Sequence, residues 1–216
     1  MRQAIESRCD EINYVMVASE GFGKRNQNAT PQDTADLLDR IAVLAHDAGI
    51  PLSATISVAF GDPFDGEVDP AILGELAGRA AAAGATEIAL GDTIGVATPW
   101  QVSKAVEIVR KAAPKARLRL HFHNTRNTAI ANVYAAVEAG VDVIDASAGG
   151  IGGCPFAPKA TGNVATEDVV YMLERGGFST GIDLDKMIET AHWLEQVALK
   201  HPIESALSKA GPFPPR

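Results

Sequence analysis

The side chains of this sequence that could do chemistry include two histidines separated by one residue, His121 and His123. They lie at the end of a predicted strand, residues 117–123. Residues two apart on a strand share one face, so both imidazoles point to the same side while Phe122 points to the other. Two imidazoles on one face can ligate one divalent cation. The pair therefore predicts a metal site at the end of this strand.

A second chemical segment is the glycine-rich stretch 149–163, which holds five glycines and two prolines and carries Cys154. Neither a helix nor a regular strand tolerates that composition, so the stretch is predicted to be a loop. It follows the apolar run 141–146, a position where α/β folds place reactive groups. Asn163 closes the loop and offers an amide oxygen, either as a third metal ligand or as a turn residue. A flexible connector with an incidental thiol is the alternative.

Two more candidate sites follow earlier apolar runs. Asp92 lies in the Gly-Asp-Thr break at 91–93 that ends the predicted strand 86–90, where its other role would be to form a turn or to cap a helix. The polar stretch 19–28 is predicted to be a loop after the first strand, and it carries Lys24 and Arg25. In a polar loop of this kind, such cations can simply be solvated.

The elements that position these residues alternate between strand and helix with a period of roughly 30 residues, which indicates a parallel sheet. The predicted strands are 11–18, 52–60, 86–90, 117–123 and 141–146. The predicted helices are 1–10, 30–46, 69–83, one starting at 98, 128–139, 166–174 and 183–200. Each candidate residue lies at the end of a strand or in the loop that follows it. In a (β/α)8 barrel, these carboxyl ends of the strands form the catalytic face. A doubly wound sheet would alternate in the same way, but no glycine-rich nucleotide fingerprint follows the first strand.

The strand count is short of a closed barrel, which needs eight strands. About five are predicted, and the chain begins inside a helix. We therefore expect about five C-terminal strands of a TIM-type barrel in a domain of residues 1–210, with a frayed tail at 211–216. The inward faces of 12–17 and 141–144 would then lack barrel partners. We expect a second copy of the chain, in a homo-oligomer, or an additional N-terminal segment to cover them.

Composition excludes several classes of function. The 216 residues carry a net charge of −8 with no basic block, which argues against a nucleic-acid partner. No apolar run is long enough to span a membrane, and no signal peptide is recognisable. The two cysteines, Cys9 and Cys154, lie in unlike contexts. A structural disulfide is therefore not expected, and a reducing cytoplasm fits.

Several of these segments together resemble 3-hydroxy-3-methylglutaryl-CoA lyases. Gly-Gly-Cys-Pro-Phe-Ala-Pro, followed by Thr-Gly-Asn-Val-Ala-Thr-Glu-Asp, looks like the catalytic-cysteine loop of that family. Leu-Gly-Asp-Thr-Ile-Gly at 90–95, the His-x-His strand, and Ala-Ser-Glu at 18–20 with Asn26 also match. The likeness runs in the same order from about residue 11 to residue 209. The histidine and Ser/Asn elements are shared with a wider superfamily of metal-dependent aldolase and Claisen-type barrels, so they are less specific than the cysteine loop.

The resemblance implies retro-Claisen cleavage of 3-hydroxy-3-methylglutaryl-CoA, or a similar 3-hydroxyacyl-CoA, to acetoacetate and acetyl-CoA, as in leucine degradation and ketone body formation. Asp92 or His121 would remove the proton of the substrate hydroxyl. Cys154, as a thiol, would then protonate the acetyl-CoA enolate.

The resemblance also implies a cation and an acyl-CoA partner. The cation would be Mg²⁺ or Mn²⁺, and its ligands would be His121, His123 and Asn163. The residues implied to contact the acyl-CoA are Ser19, Lys24, Arg25 and Asn26.

Two departures from the family leave other functions open. The family's first strand carries an Arg-Asp-Gly-type motif, whose aspartate ligates the metal and whose arginine stabilises the enolate, and this sequence contains no such motif. Asn124, Arg126 and Asn127 also stand where many members have an acidic residue and a glycine, which bears on substrate preference. The alternatives are a related aldolase or acyl-CoA condensing enzyme, and an incomplete, non-catalytic barrel that binds a ligand or a partner chain.

Overall fold

The computed structural model describes residues 2–153 and 162–213. Its centre is one sheet in which five parallel strands pair in the order in which they occur along the chain. The strands are β1 (Ile12–Val17), β2 (Leu52–Ser57), β3 (Glu87–Asp92), β4 (Arg117–Phe122) and β5 (Val143–Asp145). Sequential pairing of parallel strands, each followed by a helix, is the arrangement of a (β/α) barrel. The predicted fold class, with five strands of the barrel present, is confirmed.

Nine α-helices are described in residues 2–153 and 162–213. They are α1 (Arg2–Glu6), α2 (Glu20–Asn26), α3 (Pro31–Asp47), α4 (Pro70–Ala82), α5 (Pro99–Ala112), α6 (Ala129–Glu138), α7 (Thr166–Arg175), α8 (Leu184–Trp193) and α9 (Ala206–Ala210). Three of them begin with proline directly after a capping residue, as the sequence predicts. At α3 the Asp33 backbone N–H donates to Thr30 Oγ1 at 3.1 Å, while the Thr30 N–H donates to Asp33 Oδ2 at 2.8 Å. None of the described helices is both long and apolar enough to cross a membrane.

The prediction of a loop at 19–28 is wrong, because a short helix, α2, forms there. Ser19 caps it by accepting a hydrogen bond from the Phe22 N–H at 3.4 Å, and Phe22 is buried. The helix contains two glycines, which lower its helix propensity, so the sequence did not predict it. A Cβ at Gly23 would lie within 2.4 Å of the Ala29 carbonyl oxygen, so glycine is what lets the helix pack so closely against the chain.

Other boundaries differ because buried runs extend beyond regular structure. The run 52–60 leaves the strand at Val58, which has a φ of 49°. Its N–H then donates to Thr93 Oγ1 at 2.9 Å. Residues 58–60 are apolar and buried, so the apolar run continues past the end of β2. The predicted helix 183–200 divides into α8 and a π-helical segment, Leu194–Ala198, and α9 was not predicted.

The two faces of the sheet differ sharply in polarity. The face covered by helices is apolar and forms the main core, as in Ile56, Leu90 and Leu120, none of which is accessible to solvent. The opposite face corresponds to the inside of a barrel and is largely polar. Its polar side chains include Asn13, Ser53, Thr55, Glu87, Arg119, His121 and Asp145. The prediction that this face would leave apolar strand surface without partners holds only in part, because Val15 is 38% exposed but most of its neighbours are polar.

Candidate active site

The histidine pair lies at the carboxyl end of β4. The ring centroids of His121 and His123 are 5.2 Å apart, with an angle of 68° between the rings. The prediction that both imidazoles share a face is therefore confirmed. His123 is only 6% exposed, so protein atoms surround its ring almost completely.

The far end of the glycine-rich loop is attached to this strand end through the backbone. His123 and Asn163 form an antiparallel bridge. On either side of it, the Asn124 N–H donates to the Gly162 carbonyl at 3.0 Å, and the Val164 N–H donates to the Phe122 carbonyl at 2.9 Å. The fold thus brings together three residues that are up to 42 positions apart in the chain, His121, His123 and Asn163.

The two polar atoms of the Asn163 amide differ in their hydrogen bonding. Its Nδ2 donates to the Ile151 carbonyl at 2.9 Å. Its Oδ1 is buried and accepts no hydrogen bond from any described residue. A buried polar oxygen without a partner is costly, so this oxygen is available to a donor or a cation.

These residues fit a divalent cation. Imidazole nitrogens and an amide oxygen are ligand types that such ions accept. Within residues 2–153 and 162–213, no group of three His, Cys, Asp or Glu side chains could hold a metal, so the two histidines would need a ligand of another type, such as the Asn163 oxygen.

An acidic partner of His121, which sequence reasoning missed, lies on the neighbouring strand. Asp145 Oδ1 is 2.5 Å from His121 Nδ1, and its other carboxylate oxygen lies 3.6 Å from Arg119 Nη1. Arg119 Nε in turn donates to Glu87 Oε1 at 2.6 Å. Only the pairing of β3, β4 and β5 reveals this network, because its members are far apart in sequence.

Asp92 is the last residue of β3 and is 1% exposed. Its Oδ1 accepts from the Val96 N–H at 2.8 Å and its Oδ2 from the Ala97 N–H at 3.2 Å, which anchors the loop between β3 and α5. Burial raises the pKa of Asp92 to about 6, although these hydrogen bonds and the charges of Arg126 and His121 oppose the rise. The loop-anchoring role is observed, and the catalytic role stays a prediction.

The raised pKa of Asp92 predicts a stability difference that depends on pH. In the folded chain the neutral carboxyl is favoured, so the associated stability is present below pH 4 and is lost as pH rises through about 6. We expect the free energy of unfolding of the wild type, relative to Asp92→Asn, to fall by up to about 3 kcal/mol between pH 4 and pH 7. Urea denaturation of both proteins across this range measures it.

Asp142 offers a control of opposite sign. The backbone N–H of Leu118 and the guanidinium of Arg110 hold the pKa of Asp142 below its ordinary value. Relative to Asp142→Asn, the wild type should therefore lose stability as pH falls, not as it rises. Parallel curves for wild type and Asp92→Asn would contradict the first prediction.

The four residues proposed to contact acyl-CoA lie on or beside α2. Ser19 is its cap, and the Arg25 guanidinium lies 4.0 Å from the centre of the Phe64 ring. Lys24 is exposed and Asn26 is half-buried. Because α2 follows the carboxyl end of β1, it lies at the same end of the parallel strands as the histidines. It is three strands away from them, since β2 and β3 separate β1 from β4.

Cys154 lies outside the described residues, but the structure shows what holds the beginning of its loop. Glu167 is fully buried, and its two carboxylate oxygens each lie 3.1 Å from the Gly149 N–H. Its Oε1 also accepts from Ser208 Oγ at 2.9 Å. The adjacent Asp168 accepts from the backbone of Ala206 and Leu207, at the start of α9. In the sequence, Glu167 and Asp168 indicated only the first turn of a helix.

Replacing Glu167 with glutamine should destabilise the fold. The amide keeps the shape of the side chain but brings N–H groups to a place where two donors already converge. We expect a loss of about 1–3 kcal/mol in the free energy of unfolding, because a buried donor is left unpaired. Urea denaturation measures it, with Glu189→Gln as the matched control, since Glu189 is exposed on α8. Equal stability of the two variants would contradict the prediction.

A cavity of about 470 Å³ lies between the glycine-rich loop and the segment that leads into α9. Its lining residues include Gly152, Gly162, His201 and Glu204. The size is within the range of small-molecule sites. The cavity therefore adjoins the loop on which Cys154 is carried.

The sequence matches the family model described as HMGL-like over residues 1–194. The chain belongs to the HMGL-like family. The predicted family relationship is thus confirmed. The chain is 40% identical over 205 residues to an (R)-citramalyl-CoA lyase of Chloroflexus aurantiacus, covering 95% of the chain and 64% of that protein. It is 38% identical over 196 residues to the hydroxymethylglutaryl-CoA lyase YngG of Bacillus subtilis, covering 91% of the chain and 66% of that protein.

A solved structure extends the family relationship to three dimensions. It is an HMG-CoA lyase from Acinetobacter baumannii in complex with coenzyme A and 3-methylmalate, with a TM-score of 0.93 and 36% sequence identity. The alignment covers 100% of this chain and 70% of that one. The chain thus spans about two thirds of the length of these HMGL-like relatives.

Proposed function

We propose that the chain carries the metal-binding and acid–base residues of a lyase that cleaves a 3-hydroxyacyl-CoA by a retro-Claisen reaction. The observation that carries the proposal is that two imidazoles share one strand end, to which the backbone of Asn163 is bridged, while the buried Oδ1 of Asn163 accepts no hydrogen bond from any described residue. Membership of a family whose relatives bear the names of acyl-CoA lyases supports it, as does a related structure that holds coenzyme A.

His121, His123 and Asn163 would hold Mg²⁺ or Mn²⁺, with His121 binding through Nε2, because Asp145 occupies its Nδ1. When bound, the cation makes the tertiary hydroxyl of the substrate more acidic and orients it. A single free nitrogen cannot ligate a cation and also take a proton. In this proposal His121 is therefore a ligand, and Asp92 is the remaining candidate for the base.

The protons and electrons of the reaction then balance as follows. The base takes the proton of the hydroxyl, and the oxygen forms a carbonyl as the neighbouring C–C bond breaks. The electron pair of that bond passes to the acetyl-CoA enolate. The Cys154 thiol donates its proton to the enolate carbon, which releases acetyl-CoA and leaves a thiolate. Solvent then takes the proton from the base and returns one to the thiolate, which restores both groups. A pKa of about 6 suits Asp92 to accept a proton near neutral pH.

Ser19, Lys24, Arg25 and Asn26 are proposed to contact the acyl-CoA, with the two cations meeting its phosphates. Lys24 has no ion pair that would compete for this role among the described residues. Arg25 already stacks on Phe64, which fixes its orientation.

The proposal is tested by incubating the chain with 3-hydroxy-3-methylglutaryl-CoA and Mg²⁺ and measuring acetyl-CoA and acetoacetate. Without an Arg-Asp-Gly motif, we expect the chain alone to turn over slowly, and we expect turnover to rise when a segment carrying that motif is supplied. A second candidate function is cleavage of citramalyl-CoA, which the 40% identity to an (R)-citramalyl-CoA lyase favours and which release of pyruvate from citramalyl-CoA would indicate. Condensation of pyruvate with acetyl-CoA would instead indicate a condensing enzyme, and no turnover in any arrangement would contradict the proposal.

The solution state of the chain is measured in the same preparation. In the described residues, β1 and β5 each pair on one side only, which leaves two sheet edges open. We propose that a second copy or an additional segment covers the open side. A cooperative monomer with substantial turnover would show that neither cover is needed.

A further inference from the structure

Four charged or titratable side chains form a continuous row across three strands on the inner face of the sheet. Glu87 lies on β3, Arg119 and His121 on β4, and Asp145 on β5. His121 and Asp145 are direct register partners, so their side chains leave the sheet side by side. The row runs away from the proposed cation site toward the opposite end of the sheet.

Each contact in the row joins one specific pair of atoms. Asp145 offers one carboxylate oxygen to His121 Nδ1 and the other to Arg119, at 2.5 Å and 3.6 Å. Arg119 is itself held by Glu87 at 2.6 Å, and the Glu87 side chain is only 9% exposed. The buried end of the row is thus Glu87, and the end that meets the site is the His121 ring.

We propose that Asp145, held in place by Arg119 and Glu87, is a positioning residue that fixes the ring orientation and the tautomer of His121. This inference rests on the proposed function for its consequence in cation binding. An imidazole that donates Nδ1–H to a carboxylate presents the Nε2 lone pair on its far side, where a cation can use it. Histidine ligands of metals commonly have such a partner, and its loss typically weakens metal affinity 10- to 100-fold.

The competing explanation is that these residues only tie three strands together. The ion pairs that Asp145 makes with His121 and Arg119 are partly exposed, and such pairs contribute little to stability, about 0–1 kcal/mol each. If Asp145 had only a structural role, its mutation would change the melting temperature slightly and would leave the tautomer of His121 unchanged. The two explanations therefore differ in a spectroscopic measurement.

The decisive comparison uses Asp145→Ala, with the His121 resonances assigned by their loss in His121→Ala. In ¹⁵N spectra of the wild type at pH 8, His121 should be the Nδ1–H tautomer. Asp145→Ala should change it to a mixture in which Nε2–H predominates, and should raise the Kd for Mn²⁺, followed by electron paramagnetic resonance, by 10- to 100-fold. Asp145→Asn keeps an acceptor without the charge, so it should give an intermediate result and serves if the alanine variant does not fold.

Arg119 and Arg117 provide a matched pair of variants on one strand. Both approach Glu87, at 2.6 Å and 3.8 Å, but the ion pair with Asp145 is made by Arg119. Arg119→Met should weaken Mn²⁺ binding several-fold, whereas Arg117→Met should leave it unchanged. An unchanged tautomer in Asp145→Ala, or equal effects of the two arginine variants, would overturn the inference.

The inference and the proposed function fail separately. If the wild-type chain does not bind Mn²⁺, the proposed metal site is wrong, while the tautomer of His121 still decides the role of Asp145. If Mn²⁺ binds normally to Asp145→Ala and the tautomer is also unchanged, the positioning role is wrong and the metal site stands.

Discussion

His121→Ala is expected to lower the affinity of the chain for Mn²⁺ by more than about 100-fold, because removing a ligand should cost more than removing a ligand's partner. The remaining candidates, His123 and Asn163, would leave two ligands for an ion that takes six or more oxygen or nitrogen donors. Isothermal titration of the folded variant with MnCl2 measures the loss. Affinity for coenzyme A should change little, because the proposed contacts with it are on α2.

A matched control separates this effect from non-specific binding by histidines. His46 lies on α3 with 90% of its side chain exposed, and its one described ion-pair partner is Asp47. His46→Ala should therefore leave Mn²⁺ affinity unchanged. Equal losses in the two variants, or normal affinity in His121→Ala, would contradict a cation site at the end of β4.

Cys154→Ser is expected to lower turnover by about 10²- to 10⁴-fold while the KM for the acyl-CoA stays nearly the same. The serine hydroxyl is a much weaker acid than the thiol, so protonation of the enolate becomes slow. The thiol is proposed to act on the intermediate and not on recognition of the substrate. Steady-state kinetics, on a form of the protein with measurable turnover, give both values.

Cys9 is the natural control for this experiment. It lies between α1 and β1, at the amino end of the first strand, and is free and only partly exposed. The carboxyl ends of the strands carry the candidate site, so Cys9 is at the opposite edge of the sheet. Cys9→Ser should keep full turnover, and alkylation at neutral pH should label Cys154 first. Preferential labelling of Cys9 would count against the proposed role.

The sequence predicted best those parts of the site that depend on local periodicity. His121 and His123 share a face because side chains alternate along any strand, and no tertiary information is needed for that. The return of Asn163 to the same strand end was also predicted, since the loop begins after the neighbouring strand. The local signals for helix starts at Pro31, Pro70 and Pro99 were equally reliable.

What could not be predicted depends on register and on distant contacts. Asp145 meets His121 only because β4 and β5 pair with these two residues opposite each other, and sequence spacing does not specify that register. Glu167 looks like an ordinary acid in the first turn of a helix, but its partner Ser208 is 41 residues away. The helix α2 was missed because Gly21 and Gly23 lower the helix propensity where close packing requires them.

The polarity of the inner face of the sheet limits what can pack against it. An apolar inner face would bind any apolar surface and would promote aggregation when exposed. Here a covering chain must instead match a pattern of donors and acceptors, for example Asn13, which bonds Ser53 and Thr55, and the charges of Glu87 and Arg119. Recognition by charge and hydrogen bonding favours the right partner more than it strengthens attachment, and salt weakens it. Where it is exposed, the inner face of the sheet is therefore well hydrated, and its binding of a partner should be selective and sensitive to ionic strength.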